Sequence, residues 1–326
     1  MIGTGSAMLP LVSFVIPVKN SASRLQRLLA TLVANDYPRE LIEILVVDNE
    51  STDASAQVAM DGGATVLRSS ARSVAAVRNS AARDARGSIL AFIDADHEIN
   101  REWIRTAVDV LSAGGVAAAG APYLTEPSPT WVQRHYDAMR SRVVAREEVQ
   151  WLGSGNLAIK KSVFDAIGGF DASLTACEDV DLCNRVRLAG HGIVADPGMR
   201  SVHYGDPKTL KALFYGELWR GRDNVRVTFR GPWTFKELRS ALIPIVDLLA
   251  MVAGVAALLL GHAVLAASCW LVVFALAALR TVMILRRESS VGFASAAQAL
   301  AVATVFDVAK AFALLARGSH RARRSN

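Results

Sequence analysis

The chain has 326 residues, 52% of them hydrophobic, and a formal net charge of +6, with a mean hydropathy of +0.28 and a sequence pI near 9.5. It is long enough for one sizeable domain plus a strongly apolar part. The basic balance does not point to nucleic acid, because the arginines gather beside the apolar segments and no nucleic-acid-reading motif accompanies them; anionic lipid is the expected partner.

Val12 to Ile16 is a short apolar run stopped by Pro17 and reads as a strand. It is too short, with the wrong flanks, for a secretory signal, so the soluble part is expected to stay inside the cell. Helical periodicity follows from Ser23 to Ala34 through Leu25, Leu28, Leu29 and Leu32. A second strand, Ile42 to Val47, ends in the polar stretch Asp48 to Asp53. A strand from Ala64 to Leu67, a helix from Ser73 to Ala85 and a strand from Ile89 to Ile93 complete the pattern. Strands alternating with helices predict a mostly parallel, doubly wound α/β sheet. In such a sheet the first, second and fourth strands deliver Pro17 to Asn20, Asp48 to Asp53 and Asp94 to Asp96 to one edge, where nucleotides bind. Polar loops at strand ends are also ordinary in this architecture.

From Ala241 to Leu285 the chain is almost wholly apolar, interrupted only by Asp247, His262 and Arg280. Leu242 to Gly261 and Ala263 to Leu285 each approach the roughly 20 residues that a bilayer core requires, and predict a transmembrane hairpin. Lys236 and Arg239 before it and Arg286 and Arg287 after it put both ends on the cytoplasmic side. A third apolar stretch, Phe293 to Ala316, carries Gln298, Asp307 and Lys310, and a tail with Arg317, Arg321, Arg323 and Arg324 follows. Exporting that tail would oppose the positive-inside tendency, so an interfacial or re-entrant helix is expected. The alternative is a third span with Asp307 and Lys310 paired inside a bundle. Phe214 to Trp233 interleaves Phe214, Tyr215, Trp219, Phe229 and Trp233 with Arg220, Arg222, Arg226 and Arg230, as suits a helix in the headgroup layer. Cys177, Cys183 and Cys269 lack metal-ligand spacing, which fits a reducing compartment and no zinc.

The chemistry concentrates where Ile89 to Ile93 ends in Asp94-Ala95-Asp96-His97. Two carboxylates at a strand end form a hard oxygen site for Mg²⁺ or Mn²⁺ already carrying phosphate oxygens, although aspartates also begin loops and cap helices. Further along, Gly153-Ser154-Gly155-Asn156, Gly168-Gly169-Phe170-Asp171 and Glu178-Asp179-Val180-Asp181 follow in order. Thr175 to Glu178 has the spacing of a capping box, which accounts for Glu178 and leaves Asp179 unexplained.

Val15-Ile16-Pro17-Val18-Lys19-Asn20, Val46 to Asp53, Arg78-Asn79 through Gly87, Asp94-Ala95-Asp96 and the later glycine and Glu-Asp motifs resemble, in order over residues 11 to 205, glycosyltransferase family 2. The resemblance implies a GT-A fold, Rossmann-like with a mostly parallel sheet, followed by C-terminal transmembrane helices. It also implies an inverting transfer of one sugar from a nucleotide-diphosphate sugar, UDP-linked by default and GDP-mannose next, to a lipid-linked or cell-envelope glycan acceptor. Domain boundaries would then be 1–10 (flexible), 11–205 (catalytic), 206–240 (juxtamembrane), 241–286 (hairpin) and 287–326 (third helix and basic tail).

By the same resemblance, Pro17, Asn20, Asp48 and Asn49 would hold the nucleotide, with Asp53 a helix cap. Arg78 would face the diphosphate and Asp94 the ribose or a metal-bound water. Asp96 would ligate Mg²⁺ or Mn²⁺, with His203 as an additional ligand. Gly153 and Gly155 would admit the donor closely, Trp151 would stack on a sugar, and Asn156 and Glu178 would lie on the acceptor side. Asp179 would be the general base, and one such carboxylate suffices for inversion. Asp181 would be a solvated surface carboxylate. The Gln-x-x-Arg-Trp motif of processive synthases is absent, which favours single-sugar transfer. A dehalogenase-type phosphatase is disfavoured by Glu98 where its motif wants Thr or Val. A nucleotide-sugar-binding scaffold without turnover remains the alternative, and the expected location is the cytoplasmic membrane with the catalytic domain facing the cytosol.

Overall fold

The computed structural model describes residues 8–140, 142–232, 235–287 and 292–316, without the side chains of 235–237. Most of the expected flexible N-terminus, Trp233, the Lys236 side chain and the basic residues Arg317, Arg321, Arg323 and Arg324 lie outside the described residues.

The elements run β1 (Val12–Val18), α1 (Ala22–Val33), β2 (Ile42–Asp48), α2 (Ser55–Asp61), β3 (Thr65–Arg68), α3 (Val74–Asp84), β4 (Ile89–Ile93), β5 (His97–Ile99), α4 (Trp103–Ser112) and β6 (Val116–Gly120). There follow β7 (Leu124–Thr125), α5 (Trp131–Asp137), β8 (Glu147–Glu148), β9 (Asn156–Lys160), α6 (Lys161–Ala166), α7 (Glu178–Leu188), β10 (Gly192–Ala195) and β11 (Ser201–His203). The last elements are the helices α8 (Leu210–Arg220), α9 (Asn224–Thr228), α10 (Phe235–Leu259), α11 (Ala263–Leu285) and α12 (Phe293–Ala313).

The chain divides into two units. The first takes residues up to Leu124, Arg142–Ser173 and Glu178–Tyr204, and holds an eight-stranded sheet of order β3-β2-β1-β4-β9-β6-β10-β8. β1, β2, β3 and β4 are mutually parallel, as the alternation of strands and helices predicts. β9 runs antiparallel between β4 and β6, a reversal that periodicity does not encode. Val12, Phe14, Ile16 and Ile44 face one apolar layer with Leu25, Leu28, Leu32 and Trp103. Val15, Leu45, Leu90 and Phe92 face the other, with Ala81, Phe164 and Phe170. Strands buried on both faces read as unbroken apolar runs because each alternate side chain meets a helix. The observed α1 and α3 match the expected helices to within a residue at each end.

The second unit comprises Thr125–Ser141, Leu174–Cys177 and the residues from Gly205 onward. α10 ends at Leu259, and two residues on Gly261 has a φ of +77°, which suits a residue without Cβ. Gly261 N donates to Leu258 O at 3.2 Å and His262 N to Ala257 O at 2.8 Å, so a Schellman turn makes the hairpin tip. Gly254 lets α11 approach, since a Cβ there would lie 3.0 Å from Trp270 Nε1. α10, α11 and α12 are each long and apolar enough to cross a membrane. In α12, Asp307 pairs with Arg280 at 2.7 Å, and Lys310 pairs with Glu217 of α8 at 3.1 Å. Asp307 and Lys310 are thus each paired with an opposite charge on another helix rather than with one another. Val302 of α12 packs with Val132, Tyr136 and Leu213, and Gln298 reaches His135 at 3.4 Å.

Candidate active site

At the carboxyl edge of the sheet, Ile93 stands opposite Asn156, and Asp94 N donates to Gly155 O at 3.3 Å. The Asp94–Asp96 turn and the 153–155 turn are thereby stacked against each other. His97 N donates back to Asp94 O at 3.1 Å and the chain turns into β5. β5 pairs antiparallel with β11, which sets His203 opposite His97, and Tyr204 N donates to Asp96 O at 2.9 Å.

This pairing collects one ligand atom each from Asp96, His97 and His203 within 4.8 Å of one another. Asp96 Oδ2 lies 3.5 Å from His203 Nε2 and 3.6 Å from the Arg24 guanidinium. Burial raises the Asp96 carboxyl, but the His203 hydrogen bond and the charges of His203, His97 and Arg24 outweigh it, holding Asp96 ionised well below the usual carboxylate range. His97 Nδ1 meets Ser201 Oγ at 2.9 Å, and a Cβ on Gly155 would meet its Nε2 at 3.2 Å. The Tyr123 ring braces both imidazoles, with centroids 5.2 Å from His97 and 4.7 Å from His203. A carboxylate and two imidazoles at this spacing fit a divalent cation that takes its remaining oxygens from a ligand.

Beside these donors lies a buried ion cluster. Arg78 is only 2% exposed, and its guanidinium donates to Asp94 Oδ1 at 2.6 Å and Glu178 Oε1 at 2.8 Å. Ser154 Oγ donates to the same Glu178 oxygen at 3.1 Å. Arg78 and Glu178, expected toward a diphosphate and an acceptor, are paired with each other here, and Arg78 also holds Asp94. The capping-box reading of Glu178 is also corrected. α7 begins at Glu178 itself, and the Thr175 hydroxyl donates to Asp223 instead.

Asp179 follows in the first turn of α7, and Val180 N donates to its Oδ1 at 2.8 Å. Burial, reinforced by the adjacent Glu178 charge, pushes its carboxyl up to about 7, against the opposing pull of the Val180 amide and Arg78. A base poised there is suited to taking a proton near neutral pH. Asp181 is buried and paired with Arg185 at 2.7 Å, not solvated as expected, because the i,i+4 spacing stacks the two on one helix face.

The glycines differ in what they permit. A Cβ on Gly155 would sit 2.7 Å from Asp94 Oδ2, so the close turn stacking demands glycine there. A Cβ on Gly153 would make only ordinary contact, 3.8 Å from Asp179 Oδ2. Trp151 is 47% exposed and available for stacking. Asn156, expected on the acceptor side, is bonded within the core. It is 1% exposed, donates to Ala121 O and Met199 O at 2.9 and 2.8 Å, and accepts from Trp103 Nε1 at 2.8 Å, which makes it a core fastener.

The ends of β1 and β2 form a third part. Val18 is level with Asp48, whose Oδ1 accepts from Ser51 N at 3.1 Å. Asn20 has a φ of +49° and its Oδ1 accepts from Thr52 N at 2.7 Å, stitching the two loops. Asn49 Oδ1 is buried with no hydrogen-bond partner among the described residues. Pro17 lies within β1, half-buried. Asp53 precedes the N-cap Ala54 of α2, and its carboxylate accepts from the first backbone amides of both helices, Ala22 N of α1 and Ser55 N of α2, both at 3.0 Å.

Residues 13–174 match the sequence model of glycosyl transferase family 2. The chain belongs to that family. A glycosyltransferase named AglE from Haloferax volcanii is 28% identical over 223 residues, 64% of this chain and 72% of the relative. The pre-mycofactocin glycosyltransferase of Mycobacterium tuberculosis is 26% identical over 57% of this chain, which spans only 41% of that relative. Among solved structures, a mannosyltransferase from Pyrobaculum calidifontis in complex with GDP-Man and Mn²⁺ superposes with a TM-score of 0.59, covering 91% of this chain and 86% of its own, at 19% identity. The GT-A architecture follows from that likeness.

Within this glycosyltransferase, sequence reasoning missed His97, Arg24, Ser154 and Tyr123. His97 had a local signal, since it directly follows the second carboxylate of the Asp-x-Asp motif. Arg24 and Tyr123 had none, because α1 and the chain after β6 meet the site only through the fold.

Proposed function

We propose that this family member transfers a single sugar, with inversion, from a nucleoside-diphosphate sugar to a hydroxyl or phosphate acceptor that is lipid-linked or part of an envelope glycan. The observation that carries the reading is one sheet edge where the Asp96–His97–His203 donors and the raised carboxyl of Asp179 flank the same 153–155 turn. Asp48, with the unpartnered Asn49 Oδ1 beside it, would hold base or ribose. Asp94, locked by Arg78, would contact the ribose or bound water. Mg²⁺ or Mn²⁺ held by Asp96, His97 and His203 would neutralise charge growing on the departing diphosphate. Asp179 would take the proton of the acceptor hydroxyl as its oxygen attacks the anomeric carbon opposite the leaving group, and Trp151 would stack on a sugar face. UDP-sugars are the first choice of donor, with GDP-mannose, the ligand of the Pyrobaculum structure, second.

The test is thermal stabilisation of the detergent-solubilised full chain by uridine, guanosine and thymidine diphosphates, each with and without Mn²⁺. One nucleotide should stabilise, and only with metal. Equal indifference to all of them in a folded sample would overturn the nucleoside-diphosphate-sugar reading.

For the membrane part, α10 and α11 would cross as a hairpin with the catalytic unit on the cytosolic side, as Arg239, Arg286 and Arg287 favour. α12 would lie in the interface. Its contacts to α5 and α8 extend from Gln298 to Lys310, a rise of roughly 18 Å at helical pitch, while α5 and α8 are too short to accompany a span. Epitopes at the two termini should therefore be digested together when protease reaches the cytosolic face of sealed vesicles. Protection of the C-terminal epitope alone would establish a third crossing.

A further inference from the structure

The segment Leu174–Cys177 leads directly into Glu178 and Asp179, yet it groups with the helices beyond residue 205. One carboxylate oxygen there holds it: Asp223 Oδ2 accepts from Thr175 N at 2.8 Å, Thr175 Oγ1 at 2.8 Å and Ala176 N at 3.2 Å. Asp223 occupies the N-cap position of α9, where an aspartate ordinarily accepts from its own helix, but it makes no side-chain cap bond to that helix. Its acceptor capacity is turned to residues 175 and 176 instead. The next residue, Cys177, has a left-handed φ of +59° without being glycine, a conformation that persists only where its surroundings over-determine it. Its thiol donates to Arg220 O, 3.4 Å away, on the same α8–α9 segment. Two anchors two residues apart in sequence therefore fix the backbone where α7 begins.

On the reading of Asp179 as general base, we propose that Asp223 is a positioning residue: by holding Thr175 and Ala176 it sets the backbone entry into α7, and with it the aim of the Asp179 carboxylate. Juxtamembrane α9 would then contribute to turnover without touching either substrate. The same placement accounts for the strained Cys177, since a free 174–177 segment would relax out of the left-handed region.

The experiment compares Asp223→Ala, Asp223→Asn and Thr175→Val in the full detergent-solubilised chain. Turnover is read as nucleoside diphosphate release from UDP-glucose, or from GDP-mannose if guanosine diphosphate is the stabilising nucleotide, with membrane lipid extract as acceptor source. Asp223→Ala should lower kcat by about 10- to 100-fold, as a misaimed catalytic group does, with donor KM and metal-dependent nucleotide stabilisation unchanged and the acid limb of its pH profile displaced. Asp223→Asn, whose amide oxygen can accept the same three bonds, should recover most of the rate. Thr175→Val, which loses one bond, should fall between. Wild-type kcat in Asp223→Ala, equal damage in the Asn variant, or joint loss of kcat and nucleotide stabilisation in all three would overturn the proposal. Asp179→Asn in parallel separates the two readings: if it retains full turnover the base assignment fails, whereas an inactive Asp179→Asn beside an unaffected Asp223→Ala defeats only the positioning role.

Discussion

Replacing Asp179 by asparagine is expected to lower sugar transfer by about 10²- to 10⁴-fold, the range that a positioned acid–base group supplies, while metal-dependent nucleotide binding stays intact. The amide keeps the size of the carboxylate and its bond from Val180 N, so α7 should start as before. What is lost is a group able to accept the acceptor's proton. The pH dependence of the unmodified enzyme provides a second arm. Asp179 is raised to about 7 by burial and by the Glu178 charge. A base acts only when ionised, so kcat/KM should rise with pH, reach half its plateau near 7, and decline steadily below it. A carboxylate of ordinary pKa would instead leave activity flat down to about pH 4. Flat activity between pH 5 and 8, or full transfer by the asparagine variant, would remove Asp179 from the mechanism.

Substitution of Asp96 by alanine should abolish the metal-dependent part of nucleotide binding. A ligand present at about 100 times its dissociation constant stabilises a folded chain by about 2.7 kcal/mol, and that increment should vanish from the Asp96→Ala thermal shift with Mn²⁺ while the metal-free baseline is unchanged. The reasoning is geometric. Asp96 supplies the carboxylate of the donor set, and its charge is favoured by His203, His97 and Arg24. Removing it leaves two imidazoles, a set that no longer suits a hard cation bridging phosphate oxygens. Undiminished Mn²⁺-dependent stabilisation in the variant would exclude Asp96 as a ligand.

Legibility differed between the parts of the site for physical reasons. The Asp-x-Asp turn could be read because an apolar strand and two carboxylates are adjacent in sequence, and so could the polar loop after β2. The partners of these residues were not readable. His203 reaches Asp96 through the antiparallel pairing of β5 with β11, more than a hundred residues apart in sequence. Arg78, 100 residues before Glu178, is neutralised by it inside the core, and no local pattern distinguishes that arrangement from an arginine facing phosphate. Asn156 likewise stands in a motif that suggests ligand contact, and its three long-range bonds could not be read from that motif.

The sequence by itself determined the alternation of strands and helices, the sheet edge at which carboxylates gather, and the apolar hairpin, because period, strand-end polarity and span length are local properties of a chain. The tertiary structure alone decided that β9 reverses direction in the sheet, that His97 joins Asp96 and His203, that half-buried Asp179 sits beside buried Glu178, and that α12 packs along α5 and α8. Each of these depends on which distant groups share a desolvated space, and desolvation and charge pairing act through space without regard to sequence separation.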